Sequence, residues 1–196
     1  MKLVSVAHQE TYSRGELIMR VLFGWLYIAV PHSFVLFFVG LWSAVLQVLS
    51  FWVILFTGKY PESWFRYQVK LIKWSTRLTA SLSNMIDGYP EIGLNKENDK
   101  VSVDIPYPEN ISRGSVFVRG LFGFLYVGIP HSICLWFRYI AQSFVNFIAA
   151  LSILFTGQYP ENMFVFSEGT IRWQMAVGTY LSYMTQTYPK FNGTQE

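Results

Sequence analysis

The chain contains a long internal repeat. Residues 13 to 90 align with residues 112 to 189 at a constant offset of 99 without a gap, and 30 of the 78 aligned positions are identical. Both copies begin with Ser-Arg-Gly, and in both the sequence Phe-Thr-Gly-x-Tyr-Pro-Glu ends a long apolar run. Since a repeat of this length implies that each structural unit occurs twice, we predict two tandem modules. They comprise residues 1–90 and 101–190, with a polar linker at 91–100 and a tail at 191–196.

The composition favours a membrane protein. Of the residues, 52% are hydrophobic and only 14% are charged, whereas about 25% are charged in an ordinary soluble domain. Residues 21–39 and 41–57 contain no Lys, Arg, Asp or Glu, and a transmembrane helix needs roughly 20 apolar residues. We therefore predict an all-α membrane protein. The net charge of +3 is small and dispersed, which argues against nucleic acid as a partner.

Each apolar block is about twice as long as one span, which permits two interpretations. One is a transmembrane helical hairpin over residues 17–57, repeated at 116–156, with a turn at Val39-Gly40. The other is a single span preceded by an interfacial helix. We favour the hairpin, because Arg138 occupies the position of Val39 in the second module and a charge costs less at a surface turn than in mid-span. Four transmembrane helices result, with two as the alternative.

The distribution of basic residues agrees with the hairpin. It would place 14 of the 15 Lys and Arg residues on one side of the membrane, and the positive-inside rule makes that side cytoplasmic. Both termini would then be cytoplasmic. The two-span alternative would instead place residues 59–119 inside.

After the apolar block, each module is predicted to contain an amphipathic helix, over residues 62–86 and 161–185. In the first, Arg66, Lys70, Lys73 and Arg77 recur every three or four residues and so share one face. Such a helix can lie in the headgroup region and bind anionic lipid. The alternative is a helix packed on the hairpin with a solvated basic face. Of the four positions, only that of Lys73 is basic in the second module, as Arg172.

The repeated Phe-Thr-Gly-x-Tyr-Pro-Glu sequence predicts a corner between these helices. Glycine can end the first helix in the left-handed conformation, and proline is favoured in the first turn of the next. The threonine can hydrogen-bond at the junction, and tyrosine suits the membrane interface. The corner residues are Thr57, Gly58, Tyr60 and Pro61, and Thr156, Gly157, Tyr159 and Pro160. Outside the helices, residues 3–6 and 101–105 alternate like short strands, and we expect them to pair.

Pro31-His32 and Pro130-His131 are the candidate functional residues within the apolar blocks. Proline removes an intrahelical hydrogen bond and frees the carbonyl of Tyr27 or Tyr126. The histidines could face each other and line a polar path. The alternative, which we favour, is a neutral histidine that fixes helix packing through a hydrogen bond. Without acidic or cysteine neighbours they form a poor metal site.

Two further arginines, Arg20 and Arg119, lie near the starts of the first helices. They are expected to be anchors that extend to the membrane surface.

Together these motifs resemble a known family. The order "SRG", "PHS", "ILFTGxYPE", "F…RW" or "F…KW" and a closing "YP" is similar to the bacterial integral-membrane family of domain of unknown function 4389, whose members often carry the module in tandem. That family typically has "LFTGRYP" and "TDxYPPF". Here Lys59 and Gln158 replace its arginine, and only Asp87 retains the closing aspartate. The resemblance implies a multi-pass protein of the bacterial cytoplasmic (inner) membrane, but no activity.

No catalytic signature, cofactor motif or metal-ligand spacing is present in the sequence. We therefore predict a non-enzymatic accessory or scaffold subunit of a membrane complex. Its predicted partners are membrane lipids and either another protein or a second copy of itself. The alternative is a transporter or lipid-moving component whose polar path is lined by His32 and His131.

Overall fold

The computed structural model of the chain describes residues 3–193, so the last residues of the predicted tail lie outside the described part. The elements in chain order are β1 (Val4–Val6), α1 (Arg14–Gly24), a π-helical turn (Trp25–Ala29), α2 (Val30–Thr57), α3 (Glu62–Leu82), β2 (Val101–Val103), α4 (Arg113–Gly123), a second π-helical turn (Phe124–Gly128), α5 (Ile129–Thr156) and α6 (Glu161–Leu181). Every helix of the first repeat recurs 99 residues later.

The predicted hairpins are wrong. α1, the π-helical turn and α2 form one continuous helix of 44 residues, Arg14–Thr57, and α4 to α5 form another, Arg113–Thr156. We call them the first and second long helices. Val39 and Gly40 lie inside α2, where one glycine costs only about 1 kcal/mol. Arg138 lies inside α5 and needs no surface turn, because its guanidinium donates to the Thr170 hydroxyl at 2.9 Å and the Phe166 carbonyl at 3.0 Å.

Each long helix buries a single stripe of side chains. On the first, fully buried residues recur mainly every three or four positions, from Leu17 to His32 and again from Leu46 to Ile54. Most exposed large apolar side chains of the described chain lie on the two long helices. In the most apolar 18-residue window of each, 11% of the residues are buried, whereas the core helix of a soluble protein is mostly buried. Both helices are long and apolar enough to cross a membrane, which indicates a membrane protein.

The two long helices run antiparallel and meet at their ends. The Tyr12 amide donates to the Gly157 carbonyl at 2.8 Å, and the Ile111 amide donates to the Gly58 carbonyl at 2.9 Å. The start of each long helix therefore packs against the end of the other, as α1 on α5 and α4 on α2. α3 turns back along α2, and α6 turns back along α5, so that each repeat is a pair of antiparallel helices.

The predicted strand pair is confirmed. β1 and β2 are antiparallel, with Val4 opposite Val103 and Val6 opposite Val101. β1 packs on α6, and β2 packs on α3. Because each strand lies against the helix of the other repeat, the two repeats share one hydrophobic core rather than folding as separate units.

α3 and α6 end four residues earlier than predicted. Asn84 (φ 57°) and Tyr183 (φ 64°) adopt the left-handed conformation just after the last helical turn. The next amides, of Met85 and Met184, donate back to the carbonyls of Ala80 and Thr179 at 2.9 Å. These bonds close the helix ends in the manner usually associated with glycine. Since the left-handed residue is asparagine or tyrosine, no glycine marks the helix end in the sequence.

Candidate functional site: a histidine and tryptophan pair in each repeat

Each of the two histidines is paired with a tryptophan of its own repeat. The Trp74 indole Nε1 donates to His32 Nδ1 at 2.9 Å, and Trp173 Nε1 donates to His131 Nδ1 at the same distance. An indole nitrogen can only donate, so Nδ1 has to be unprotonated. Each imidazole is thereby held neutral with its proton on Nε2. The hydrogen bond joins the long helix to the antiparallel helix beside it.

Both histidines are closed off from solvent. His32 and His131 are completely buried, and Nε2 of each has no hydrogen-bond partner among residues 3–193. Tyr89 and Tyr188 cover the rings, with centroids 5.6 and 5.7 Å from those of the imidazoles. The tyrosine of the closing Tyr-Pro sequence thus packs against the histidine in each repeat.

Phe191 distinguishes the second site from the first. Its ring stacks on His131, with centroids 3.9 Å apart and planes inclined by 10°. The equivalent position in the first repeat is Ile92, which is exposed. The second imidazole is therefore covered by one more aromatic ring.

A π-helical turn precedes each proline and histidine. The Val30 amide donates to the Trp25 carbonyl, five residues back, which widens the helix immediately before Pro31. In the second repeat the Tyr188 hydroxyl donates to the Tyr126 carbonyl at 3.3 Å. This is the carbonyl that the sequence predicts Pro130 to free. The extra residue in the turn accommodates proline without a break in the helix.

The histidines are not brought together. All described contacts of His32 and His131 lie within the histidine's own repeat. α2 and α5, which carry them, are not among the packed pairs of helices. A common path lined by both side chains therefore has no geometric basis. Nor does any group of three or more His, Cys, Asp or Glu within residues 3–193 have the geometry to hold a metal ion.

The corners have the predicted local geometry and an additional role. Gly58 (φ 73°) and Gly157 (φ 76°) are left-handed, and the Thr57 hydroxyl accepts from the Lys59 amide at 3.2 Å. Pro61 immediately precedes α3. The glycine carbonyls accept the amides of the other repeat described above, which no local sequence signal predicts. Each corner therefore also connects the repeats.

The corner tyrosines do not lie at a membrane interface as expected. Tyr60 and Tyr159 are each 1% exposed and belong to the hydrophobic core. The Tyr159 hydroxyl lies 3.0 Å from the Ser167 hydroxyl. Burial raises the pKa of both tyrosines, so they are neutral and serve as packing residues.

The predicted basic face is only partly available to lipid. Arg66 is exposed and paired with Glu62, and Lys70 donates to Asn95 at 2.7 Å. Lys73 is half-buried. Arg77 is 2% exposed, because its guanidinium donates to linker carbonyls, including that of Gly93 at 3.0 Å. The linker therefore folds over this end of α3 and removes Arg77 from the lipid-binding set.

Arg20 and Arg119 are buried and do not extend to a surface. Arg20 donates to Asn84 at 3.2 Å. Arg119 donates to the carbonyls of Tyr180 and Thr185 at 2.9 and 2.7 Å. A cation is favourable at a helix C-terminus, where carbonyls lack intrahelical partners. These arginines thus stabilise the ends of α3 and α6.

The position of the closing aspartate also has a structural role. Asp87 accepts from the Ser13 amide at 2.8 Å and from the Gln9 side chain at 3.2 Å. In the second repeat Gln186 occupies this position and accepts from the Ser112 amide at 3.1 Å. A neutral amide makes the same hydrogen bond to the start of the long helix. In the second repeat this position therefore supplies an acceptor without a charge.

Sequence reasoning missed a buried ion pair in α6. Glu168 and Arg172 are 2.6 Å apart, with side chains 11% and 7% exposed. The Glu168 carboxylate also accepts from the Val6 amide at 3.0 Å, and Arg172 donates to the Gly193 carbonyl. The pair connects β1 and the C-terminal segment to α6. Its only sequence signal is the four-residue spacing of opposite charges.

The comparisons with known proteins agree with the resemblance of the motifs. No curated protein and no solved structure matches the chain. Residues 113–192 match the family described as Domain of unknown function (DUF4389). This range includes α4 to α6, the second histidine and tryptophan pair and its closing Tyr-Pro sequence. The second repeat of this chain is therefore similar to the DUF4389 family.

Proposed function

We propose that the protein is a non-enzymatic accessory or scaffold subunit of a bacterial inner-membrane complex, with the two long helices embedded lengthwise in one leaflet. The observation that carries the proposal is the separation of its surfaces. Exposed apolar side chains cover the long helices, while α3 and the linker present Arg66, Lys70 and other polar groups. One side of the protein suits lipid, and the other suits water.

The length of the helices supports this placement. A helix of 44 residues is roughly 66 Å long, whereas the hydrocarbon core is about 30 Å thick. At a tilt of about 40°, near the upper limit for transmembrane helices, the helix would still extend roughly 50 Å along the membrane normal, which exceeds the thickness of the hydrocarbon core. Exposed apolar residues extend from Ile18 to Phe56, so a crossing helix would expose many of them to water.

The position of α3 supports it as well. α3 lies along α2, so an upright α2 would carry Arg66, Lys70 and the polar linker into the membrane. Charged groups at that depth are costly. With α2 in the plane of the membrane, the same residues lie at the surface, where Arg66 and Lys70 can contact anionic headgroups.

A role without catalysis is supported by the use of the buried ionisable groups. His32, His131, Arg20, Arg119 and the pair of Glu168 and Arg172 all hold one segment of the chain to another. Catalysis requires a group that can exchange a proton or bind a substrate. Each of these groups uses at least one polar atom to hold the fold together, which supports a structural role.

The placement can be tested by cysteine labelling from each side of the membrane. In a Cys134→Ser background, Glu10→Cys, Leu41→Cys and Lys59→Cys would be treated with an impermeant maleimide in sealed vesicles of both orientations. We expect positions 10 and 59 to react from the same side and position 41 to be protected from both. Labelling of positions 10 and 59 from opposite sides would show that the long helix crosses the membrane.

The scaffold role is tested separately, by gentle native extraction and mass spectrometry of the intact assembly. We expect a stoichiometric protein partner or a defined homo-oligomer. A monomer with no partner in a mild detergent would contradict the role, whatever the labelling result.

A further inference from the structure

A polar groove lies between the two repeats, where α3 approaches α6. Its volume is about 310 Å³, which is large enough for a small ligand group. The lining combines hydroxyl and amide side chains with the apolar side chains of Leu71, Ile72, Ile171, Met175 and Met184. The polar lining residues are Ser43, Gln47, Gln68, Ser75, Thr76, Thr79, Gln174, Thr179 and Ser182.

The groove has free hydrogen-bonding groups but no charge. Its lining contains no Lys, Arg, Asp, Glu or His. The side chains of Gln47, Ser75 and Gln174 have no hydrogen-bond partner within residues 3–193. An uncharged polar ligand could therefore exchange hydrogen bonds with these side chains, whereas a phosphate would find no Arg or Lys to neutralise it.

An apolar groove adjoins the polar one. It has a volume of about 550 Å³ and lies between α2 and α4, lined by Val48, Trp52, Phe117 and Leu121 among others. Gln47 lines both grooves. The two cavities therefore form a polar compartment followed by an apolar one, which matches the headgroup and chain of a lipid.

The polar groove opens away from the charged face of α3. At 3.6 residues per turn, Ser75 and Thr79 lie roughly opposite Arg66 and Lys70 around the helix. They face the side of α3 that is shared with the long helices. Under the placement proposed above, on which this step rests, that side is the membrane side.

We infer that the two grooves form a binding site for one lipid with an uncharged, hydroxyl-bearing headgroup. The headgroup occupies the polar groove and hydrogen-bonds to Gln47, Ser75 and Gln174. An acyl chain lies along Trp52 in the apolar groove. Neither histidine takes part.

Glycines provide a variant that blocks the site and a matched control. A Cβ added at Gly178, which lines the polar groove, meets nothing within 4 Å, and the same holds for Gly40 in α2 outside both grooves. Both positions are helical. Gly178→Leu should therefore fill the groove without disturbing the fold, and Gly40→Leu should change only the lipid-facing surface.

The experiment measures lipid retention by native mass spectrometry. Wild type, Gly178→Leu and Gly40→Leu would be reconstituted with equal amounts of monoglucosyl-diacylglycerol and phosphatidylglycerol and then released from detergent. We expect one retained glycolipid in the wild type and in Gly40→Leu, and a loss of about tenfold or more in Gly178→Leu. Unfolding temperatures and the labelling pattern of positions 10, 41 and 59 would verify that the variants fold and insert.

Three results would overturn the inference. They are equal glycolipid retention by Gly178→Leu and wild type, preferential retention of phosphatidylglycerol, and no retained lipid in the wild type. Each could occur while positions 10 and 59 still label from the same side. The lipid site can therefore fail while the proposed membrane placement stands.

Discussion

The two repeats are closely similar in the contacts that each makes within itself. They differ in the contacts that each makes with other segments of the chain. The histidine and tryptophan nitrogens are 2.9 Å apart in both, and both corner glycines have φ within a few degrees of 75°. On the outer faces, α3 holds the linker through Arg77, whereas α6 holds β1 and the C-terminal segment through Glu168 and Arg172.

This comparison separates two classes of residue. A residue that packs within its repeat has similar surroundings in both copies, apart from the Phe191 ring over His131, so one side chain serves both. A residue on the outer face meets the linker in one copy and a strand in the other, and its chemistry differs accordingly. The identical residues should therefore have equal effects in both repeats, and the divergent ones should not.

The largest effect is expected at the buried ion pair. Glu168→Ala would leave the Arg172 guanidinium buried without its partner, which typically costs about 3–5 kcal/mol. Lys73→Ala, at the equivalent of Arg172 in the first repeat, should change stability by no more than about 0.5 kcal/mol. Denaturant unfolding in mild detergent would measure both, and equal losses would contradict the distinction between outer faces.

The histidine and tryptophan pairs should be equally important in the two repeats. Trp74→Phe and Trp173→Phe each leave a buried imidazole nitrogen without its donor, at an expected cost of about 1–3 kcal/mol. A double-mutant cycle with His32→Leu or His131→Leu would isolate the hydrogen bond by unfolding measurements. Retention of full stability by either single tryptophan variant would show that the bond has no structural role.

The corners should show a smaller and equal effect. Gly58→Ala and Gly157→Ala place a Cβ in the left-handed conformation, at a cost of about 1–2 kcal/mol each. Gly40→Ala is the control, because its helical backbone accepts alanine and should gain about 0.5–1 kcal/mol. Thermal unfolding of the three variants would detect the opposite signs, and a loss at Gly40 would argue against the continuous helix.

The smallest effect is expected at the closing acceptor. Asp87→Asn retains an oxygen that can accept from the Ser13 amide, as Gln186 does for Ser112, so the loss should stay near 0.5 kcal/mol. Asp87→Ala removes the acceptor and should cost about 1 kcal/mol. A complete loss of folding in Asp87→Asn would show that the charge itself, 3.8 Å from Arg20, is essential.

Much of the fold could be predicted from local sequence. The corner glycines and the paired strands each depend on a few neighbouring residues, and both appear in the structure. The hairpin prediction failed because Gly40 and Arg138 were interpreted without their tertiary contacts. Whether a helical arginine is tolerated depends on Phe166 and Thr170, nearly 30 residues away.

The candidate site was predicted in part for the same reason. Sequence alone identified His32 and His131 and the carbonyls freed by proline. It could not give the tryptophan partners, which lie 42 residues further along the chain, or the separation of the two histidines. Nor could it predict that the linker buries Arg77.

The sequence by itself determined that the chain repeats, that its elements are mainly helical, that apolar helices dominate it, and where the corners fall. These properties follow from side-chain chemistry and backbone preference over a few residues. Only the tertiary structure decided that each apolar block is one continuous helix, that the repeats interlock head to tail, and that a polar groove opens between them. Those outcomes depend on contacts between distant segments, where hydrogen bonds and packing offset the cost of burying polar groups.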